Sequence, residues 1–166
     1  MTVRRSGAVA RQRVLAADAA RRAVRTAQRR GETVVFTNGC FDVLHVGHVR
    51  SLEQARRLGD RLIVAVNGDA SMRRIKGPER PIVPARQRAE VIAALGCVDW
   101  VTIFADDDPL ALIRHLHPDV LAKGGEWHPK TIVGADDVRS WGGRVVRLRQ
   151  VPGVRTSKIV AKIRRS

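Results

Sequence analysis

The chain has 166 residues, with 31 Lys and Arg against 16 Asp and Glu, five His and two Cys. That length suits one domain with a real core, because chains of about 150 residues bury about 68–70% of their unfolded surface. At 44% apolar and 28% charged, the composition excludes a disordered chain, and no run approaches the roughly 18 apolar residues of a membrane span.

Cys40 and Cys97 have no metal or redox spacing, so free thiols in a reducing cytoplasm are expected. The net charge of +15 raises a nucleic-acid partner, since cations that neutralise phosphates bind through counterion release. Tyr is absent and Phe occurs three times, so platforms for stacking single strands are scarce. Only five of the basic residues are Lys, and the Arg and Ala bias runs through the whole chain. A solvated basic surface is the expectation, not a nucleic-acid site.

Residues 1–31 hold nine arginines and one acid, Asp18. They lack the apolar region and cleavage site of a secretory signal. They resemble a transit peptide in being Arg-rich, but they run straight into a strand. An amphipathic helix over 8–30 is predicted instead, with Val9, Leu15 and Val24 apolar and Gly31 as its stop. The chain thus divides into an N-terminal helical extension, 1–31, and one domain, 32–166.

From residue 33 strands and helices alternate. Strands are predicted at 33–37, 62–66, 98–104, 120–122 and 144–148. Helices are predicted at 47–58, 85–95, 109–116, 133–141 and 156–164. Residues 68–84 contain Gly77, Pro78, Pro81 and Pro84 and read as a loop, as do residues 124–129. Trp100 and Trp141 fall in apolar patterns as packing residues, and His115, His117 and His128 read as exposed. Short, wholly apolar strands separated by helices predict an α/β fold: a doubly wound, Rossmann-like parallel sheet of five strands with helices on both faces. Ligands of such sheets sit beyond the carboxyl ends of the strands.

The first strand is followed by Asn38-Gly39-Cys40-Phe41-Asp42-Val43-Leu44-His45-Val46-Gly47-His48. His45 and His48, three apart at a helix start, share one face. The helix N-terminus there favours phosphate, and imidazoles can donate to phosphate oxygens. A metal pair is the competing interpretation, and it lacks a nearby third ligand. Gly39 and Gly47 allow close backbone approach. Lys123-Gly124-Gly125-Glu126-Trp127 follows the fourth strand, where paired glycines can turn amides to a ligand or simply make a turn. Gly153-Val154-Arg155-Thr156-Ser157 precedes the last helix, where hydroxyls can cap or bind phosphate. Asp42 suits either a ligand contact or a carboxylate that accepts hydrogen bonds at the turn.

The run GCFDVLHVGH resembles the HxGH nucleotidyltransferase superfamily of the cytidylyltransferase type, and within it the heptose 1-phosphate adenylyltransferase domain. The resemblance extends over about residues 33–165 through LGDRLIVAVNGDAS, KGPERPIVPARQRAEVIAAL, VDWV, PDVLAKGGEWHP and GVRTSKI. It implies that 32–166 is a nucleotidyltransferase domain that joins NMP from a nucleoside triphosphate, ATP in the first instance, to a sugar 1-phosphate. ADP-heptose and pyrophosphate would be the products. It implies catalytic roles for His45, His48 and Lys76, with Lys76 neutralising the leaving pyrophosphate. It implies a nucleotide site of Asn38, Gly39, Cys40, Phe41, His45, His48, Arg88, Gly124, Val154, Thr156 and Ser157. Arg88 either contacts phosphate or is a surface charge. The sugar phosphate would meet Asp42, Lys123, Gly125, Glu126, Trp127 and Arg155. Arg155 stands where relatives usually carry a serine. No resident metal site is implied; Mg²⁺ would come bound to the nucleotide phosphates. A homodimer and a cytoplasmic location are implied, and no membrane partner. The alternatives are a CTP-dependent polyol-phosphate cytidylyltransferase and a basic nucleic-acid-binding module without catalysis.

Overall fold

The computed structural model describes residues 9–125 and 131–165. A short 3-10 helix, Ala10–Arg13, leads to α1, Ala17–Arg29. Then follow β1 (Val34–Gly39), α2 (Val46–Arg56), β2 (Arg61–Asn67), α3 (Asp69–Lys76) and α4 (Ala85–Ala94). The chain continues through β3 (Trp100–Phe104), α5 (Leu110–Leu116), β4 (Val120–Gly124), α6 (Ala135–Ser140), β5 (Arg144–Leu148) and α7 (Thr156–Ile163). The five strands form one parallel sheet in the order β3-β2-β1-β4-β5, the doubly wound arrangement expected.

Alternation along the strands sends side chains to two cores. Val34 and Phe36 of β1 and Ile63 and Ala65 of β2 face α1, α5 and α6, meeting Val24, Ile113 and Val138. Val35, Leu62, Val64 and Val66 face α2 and α4, meeting Leu52, Ala89 and Ile92. Both faces are covered, so the strands are apolar on both sides. Trp100 and Trp141 pack against the first core, as expected.

The N-terminal segment departs from a single helix over 8–30. Its helix breaks at Val14, which lies extended and bridges Val101 in parallel, while the Leu15 N–H donates to the Val101 carbonyl at 2.7 Å. This covers part of the open edge of β3, which would otherwise expose unpaired backbone groups. α1 then buries Ala20, Val24 and Ala27 in the chain's own core. Its Asp18 pairs with His115 Nε2 at 3.0 Å, so His115 is half-buried instead of exposed.

The predicted loop 68–84 begins with a helix, α3, that buries Ser71 and Met72. Only its stop was marked in the sequence: Gly77 takes φ +101, which a side chain would disfavour. The predicted helix 133–141 starts at Ala135, after Gly134 at φ +82.

Carboxylates gather at the amino ends of the strands. Asp119 Oδ2 accepts the N–H of Val34 at 2.8 Å, Asp99 Oδ2 that of Leu62 at 2.9 Å and Asp60 Oδ2 that of Thr33 at 2.8 Å. Arg61 joins Glu32 at 2.6 Å and Asp99 at 3.4 Å, and the Arg61 donation holds the Glu32 carboxyl below its usual range. Asp119 also accepts from Gln28 Nε2, at 3.2 Å, and so ties α1 to β1. Asp119→Ala leaves the buried Val34 N–H without an acceptor and should destabilise the fold by about 1–3 kcal/mol. Urea unfolding measures it, and an unchanged midpoint would contradict this account of the sheet edge.

Candidate active site

β1 and β4 are hydrogen-bonded neighbours, yet β2 follows β1 on its other side. The strand order therefore reverses between β1 and β4, and a crevice opens there beyond their carboxyl ends. A cleft of about 740 Å³ occupies this position. Asn38 and Gly39 of β1, His48 of α2, Lys76 of α3, Lys123 of β4 and Thr156 of α7 all line it. Cys40, Phe41, Gly124 and Ser157 do so as well. Most of the residues singled out by the motifs are thus brought to one place by the topology.

The loop after β1 is strained. Phe41 and Val43 have φ of 49° and 54°, a region that non-glycine residues occupy at a cost of about 1–3 kcal/mol each. Asp42 holds it. Asp42 is 2% exposed. Its carboxylate accepts the N–H of Ile82 at 2.9 Å and of Val83 at 3.0 Å and lies 3.0 Å from Arg80 Nε. Its carbonyl accepts from Thr156 Oγ1 at 2.9 Å. Asp42 lines the cleft, but its oxygens are taken up within the protein and join three chain segments. Gly39 is required beside this loop, because a Cβ there would lie 3.1 Å from the Phe41 ring.

Arg88 is corrected. It is neither a phosphate ligand nor a surface charge but 2% exposed. Nε donates to the Val83 carbonyl, Nη1 to Cys40 and Nη2 to Asn67 and to Asp69 Oδ1, at 2.5–2.9 Å. It braces the carboxyl ends of β1 and β2 from behind.

His45 is the N-cap of α2, and its Nδ1 accepts the Gly47 N–H at 3.1 Å. That fixes the neutral tautomer, with the proton on Nε2. A Cβ on Gly47 would come within 2.9 Å of the His45 ring, so this glycine admits the imidazole more than any ligand. The rings of His45 and His48 stack with centroids 3.8 Å apart, and Phe41 meets His48 edge-on at 5.4 Å. Burial, with a smaller contribution from His45, pushes the His48 pKa down to about 4. Burial lowers that of His45 too. Both imidazoles are therefore neutral donors at pH 7, at the positive end of a helix.

Across the cleft, Lys123 Nζ donates to Asn38 Oδ1 at 3.0 Å. Burial lowers its pKa, and the Lys76 charge lowers it further. Lys76 itself is exposed at the end of α3. Burial raises the Cys40 pKa, so its thiol is no ready nucleophile. Gly124 passes close to Ser51, whose Oγ would be 3.2 Å from an added Cβ.

Other expected residues lie elsewhere. Arg155 is exposed at the start of α7 and makes no side-chain cap, and the Thr156 hydroxyl serves Asp42 instead of the helix end. Val154 packs near Gly47. Gly125, at φ +110, accepts from Arg147 at 3.2 Å. Glu126 and Trp127 lie outside the described residues, as does His128. The motifs passed over Arg80, Ser51, Asp107 and Asp108, which also line the cleft. The only signal for Arg80 was its place in the KGPERP run.

Among the described residues, no three His, Cys, Asp or Glu side chains converge as metal ligands, and no helix is long and apolar enough to cross a membrane. The site offers neutral donors, a helix N-terminus and lysines, a set suited to phosphate oxygens.

Residues 36–164 match the family model described as cytidylyltransferase-like. The chain is 55% identical over 136 residues to the bifunctional protein HldE of Syntrophotalea carbinolica, covering 82% of this chain and 28% of that protein. It is 56% identical over 143 residues to the bifunctional protein HldE of Azotobacter vinelandii, covering 86% and 30%. It therefore spans under a third of the length of these curated relatives. A solved structure, the lipopolysaccharide core biosynthesis protein from Thermoplasma volcanium, superposes with a TM-score of 0.63 at 27% identity, over 73% of this chain and 99% of that one. With His48 of the HxGH motif lining the crevice and stacked on His45, and the family model spanning most of the sequence, the chain belongs to the cytidylyltransferase-like family.

Proposed function

We propose that the domain transfers a nucleotidyl group from ATP to a heptose 1-phosphate, releasing pyrophosphate and forming ADP-heptose. The observation that carries this is His48, neutral and stacked on His45 at the N-terminus of α2, in a cleft that it shares with Lys76 and Lys123. The choice of ATP and heptose rests on identity above 50% to proteins named bifunctional protein HldE.

The sugar phosphate is anionic at pH 7, so its oxygen attacks the α-phosphorus without a general base. The bond to the β-phosphate oxygen breaks, and pyrophosphate leaves in line. His48, with its ring fixed between His45 and Phe41, donates to the oxygens that gain charge. The amides of α2 add a fixed positive potential. Lys76, exposed at the cleft's edge, meets the leaving pyrophosphate. Lys123 faces the sugar phosphate, held by Asn38 of the nucleotide side. Mg²⁺ carried on the phosphates would neutralise charge as the bond breaks.

Pyrophosphate release should require ATP and heptose 1-phosphate together. Release with CTP and glycerol 3-phosphate instead would move the specificity to the cytidylyltransferase alternative. His48→Ala should fold and lose about 10²–10³-fold in turnover; near-wild-type turnover would remove His48 from the mechanism.

The His48 shift has a sign that can be measured. The unfolded chain binds this proton below its ordinary value of 6.5, and the folded protein only near 4. His48 thus contributes stability above pH 6.5 that is lost as pH falls toward 4. By NMR its ring should titrate near 4 in the free protein and move upward when pyrophosphate binds. A midpoint of 6.5 that pyrophosphate leaves unchanged would contradict both its burial and its phosphate contact.

A further inference from the structure

Arg80 lies between α3 and α4, and its side chain is 20% exposed and lines the cleft. Its Nε stands 3.0 Å from Asp42 Oδ2, on a carboxylate whose own side chain is 1% exposed. That ion pair holds one edge of the guanidinium beside the carboxylate, although the buried Nε–H is not aligned for a hydrogen bond. The described residues give its two terminal nitrogens no hydrogen-bond partner. A guanidinium carries five N–H donors in a planar fork, so four remain for a ligand.

Arg88 shows what a purely structural arginine looks like in the same region. Each of its nitrogens meets a carbonyl or carboxylate of the chain. Arg80 differs in being anchored at one edge and open at the other. The cleft's acids do not compete for it. Asp107 is held by Arg74 at 2.7 Å, and Asp108 accepts the Leu110 N–H at 2.9 Å. Asp42 is divided between Arg80 and two backbone amides, so it holds the guanidinium at the cleft while neutralising its charge only in part.

We propose that Arg80 is a substrate-binding residue whose terminal nitrogens form a two-pronged contact with the phosphate oxygens of the nucleoside triphosphate. This deepens the nucleotidyl-transfer function and rests on it. A planar fork matches two phosphate oxygens, whereas a lysine acts as a point charge. Asp42 sits in the loop that leads to His45 and His48. The same carboxylate therefore sets the phosphate clamp and the histidines in one frame.

Calorimetric titration of the wild type, Arg80→Gln and Arg80→Lys with inorganic pyrophosphate, ATP, CTP and AMP tests the proposal. Both variants should lose about 10–100-fold in affinity for pyrophosphate and for the triphosphate. AMP affinity should stay within about twofold, because a lone α-phosphate leaves most of the clamp unused. Pyrophosphate binding by Arg80→Gln as tight as wild type would overturn the assignment. Full affinity in Arg80→Lys would overturn the two-pronged contact. Failure of the wild type to bind pyrophosphate or either triphosphate would overturn the nucleotidyl-transfer function itself. A readout without any variant is phenylglyoxal modification of the wild type, mapped by mass spectrometry. Pyrophosphate should protect Arg80 and leave the exposed Arg155 reactive, and unprotected Arg80 would overturn the proposal even if both variants fail to fold.

Discussion

The buried carboxylate of Asp42 is the constraint on which the site depends. A charge at 2% exposure is tolerated only where hydrogen bonds and a counter-charge replace water. Here two backbone amides and Arg80 do so, and they come from a segment forty residues further on. The same residue's carbonyl receives Thr156 from the last helix. One side chain thereby joins the loop after β1, the segment before α4 and the start of α7. The strained dihedrals of Phe41 and Val43 persist because these contacts over-determine the loop.

Charged side chains gather at both ends of the sheet. At the amino ends of the strands, Asp60, Asp99 and Asp119 accept the first amides of the strands. At the carboxyl ends stand Lys76, Arg80 and Lys123, with the N-terminus of α2 between them. These cations are matched in number by Asp42, Asp107 and Asp108, which line the same cleft, so the net charge of +15 does not arise there. The histidines take no part in that net charge. Burial and mutual proximity keep His48 neutral at pH 7.

Much of this was legible in the sequence. Wholly apolar strands separated by amphipathic helices gave a parallel sheet covered on both faces, and that rule located the cleft. The HxGH spacing placed both histidines at a helix start, because a separation of three residues is a property of the helix itself. Lys123 lies at the carboxyl end of a strand and Lys76 at the end of the short helix after one, and so both reach the cleft by chain position alone. The β5 strand was read to its ends, since Gly143 before it and the polar Arg149-Gln150 after it mark both boundaries.

What the sequence could not supply was pairing over distance. α3 was hidden by the Gly and Pro residues behind it, although it buries Ser71 and Met72, and Met72 lines the cleft. The break at Val14 follows from the open edge of β3, some ninety residues away, which no local pattern announces. Arg88 and Arg80 are eight residues apart on one short stretch, and composition makes them equivalent. Packing buries the first, with each of its nitrogens bonded to a carbonyl or carboxylate of the chain, and leaves the second half-anchored at the cleft. Local sequence determined where the chain turns and which residue types reach the strand ends. The tertiary structure decided which charges were bound within the protein and which were left for a ligand, because that depends on acceptors brought together from distant segments.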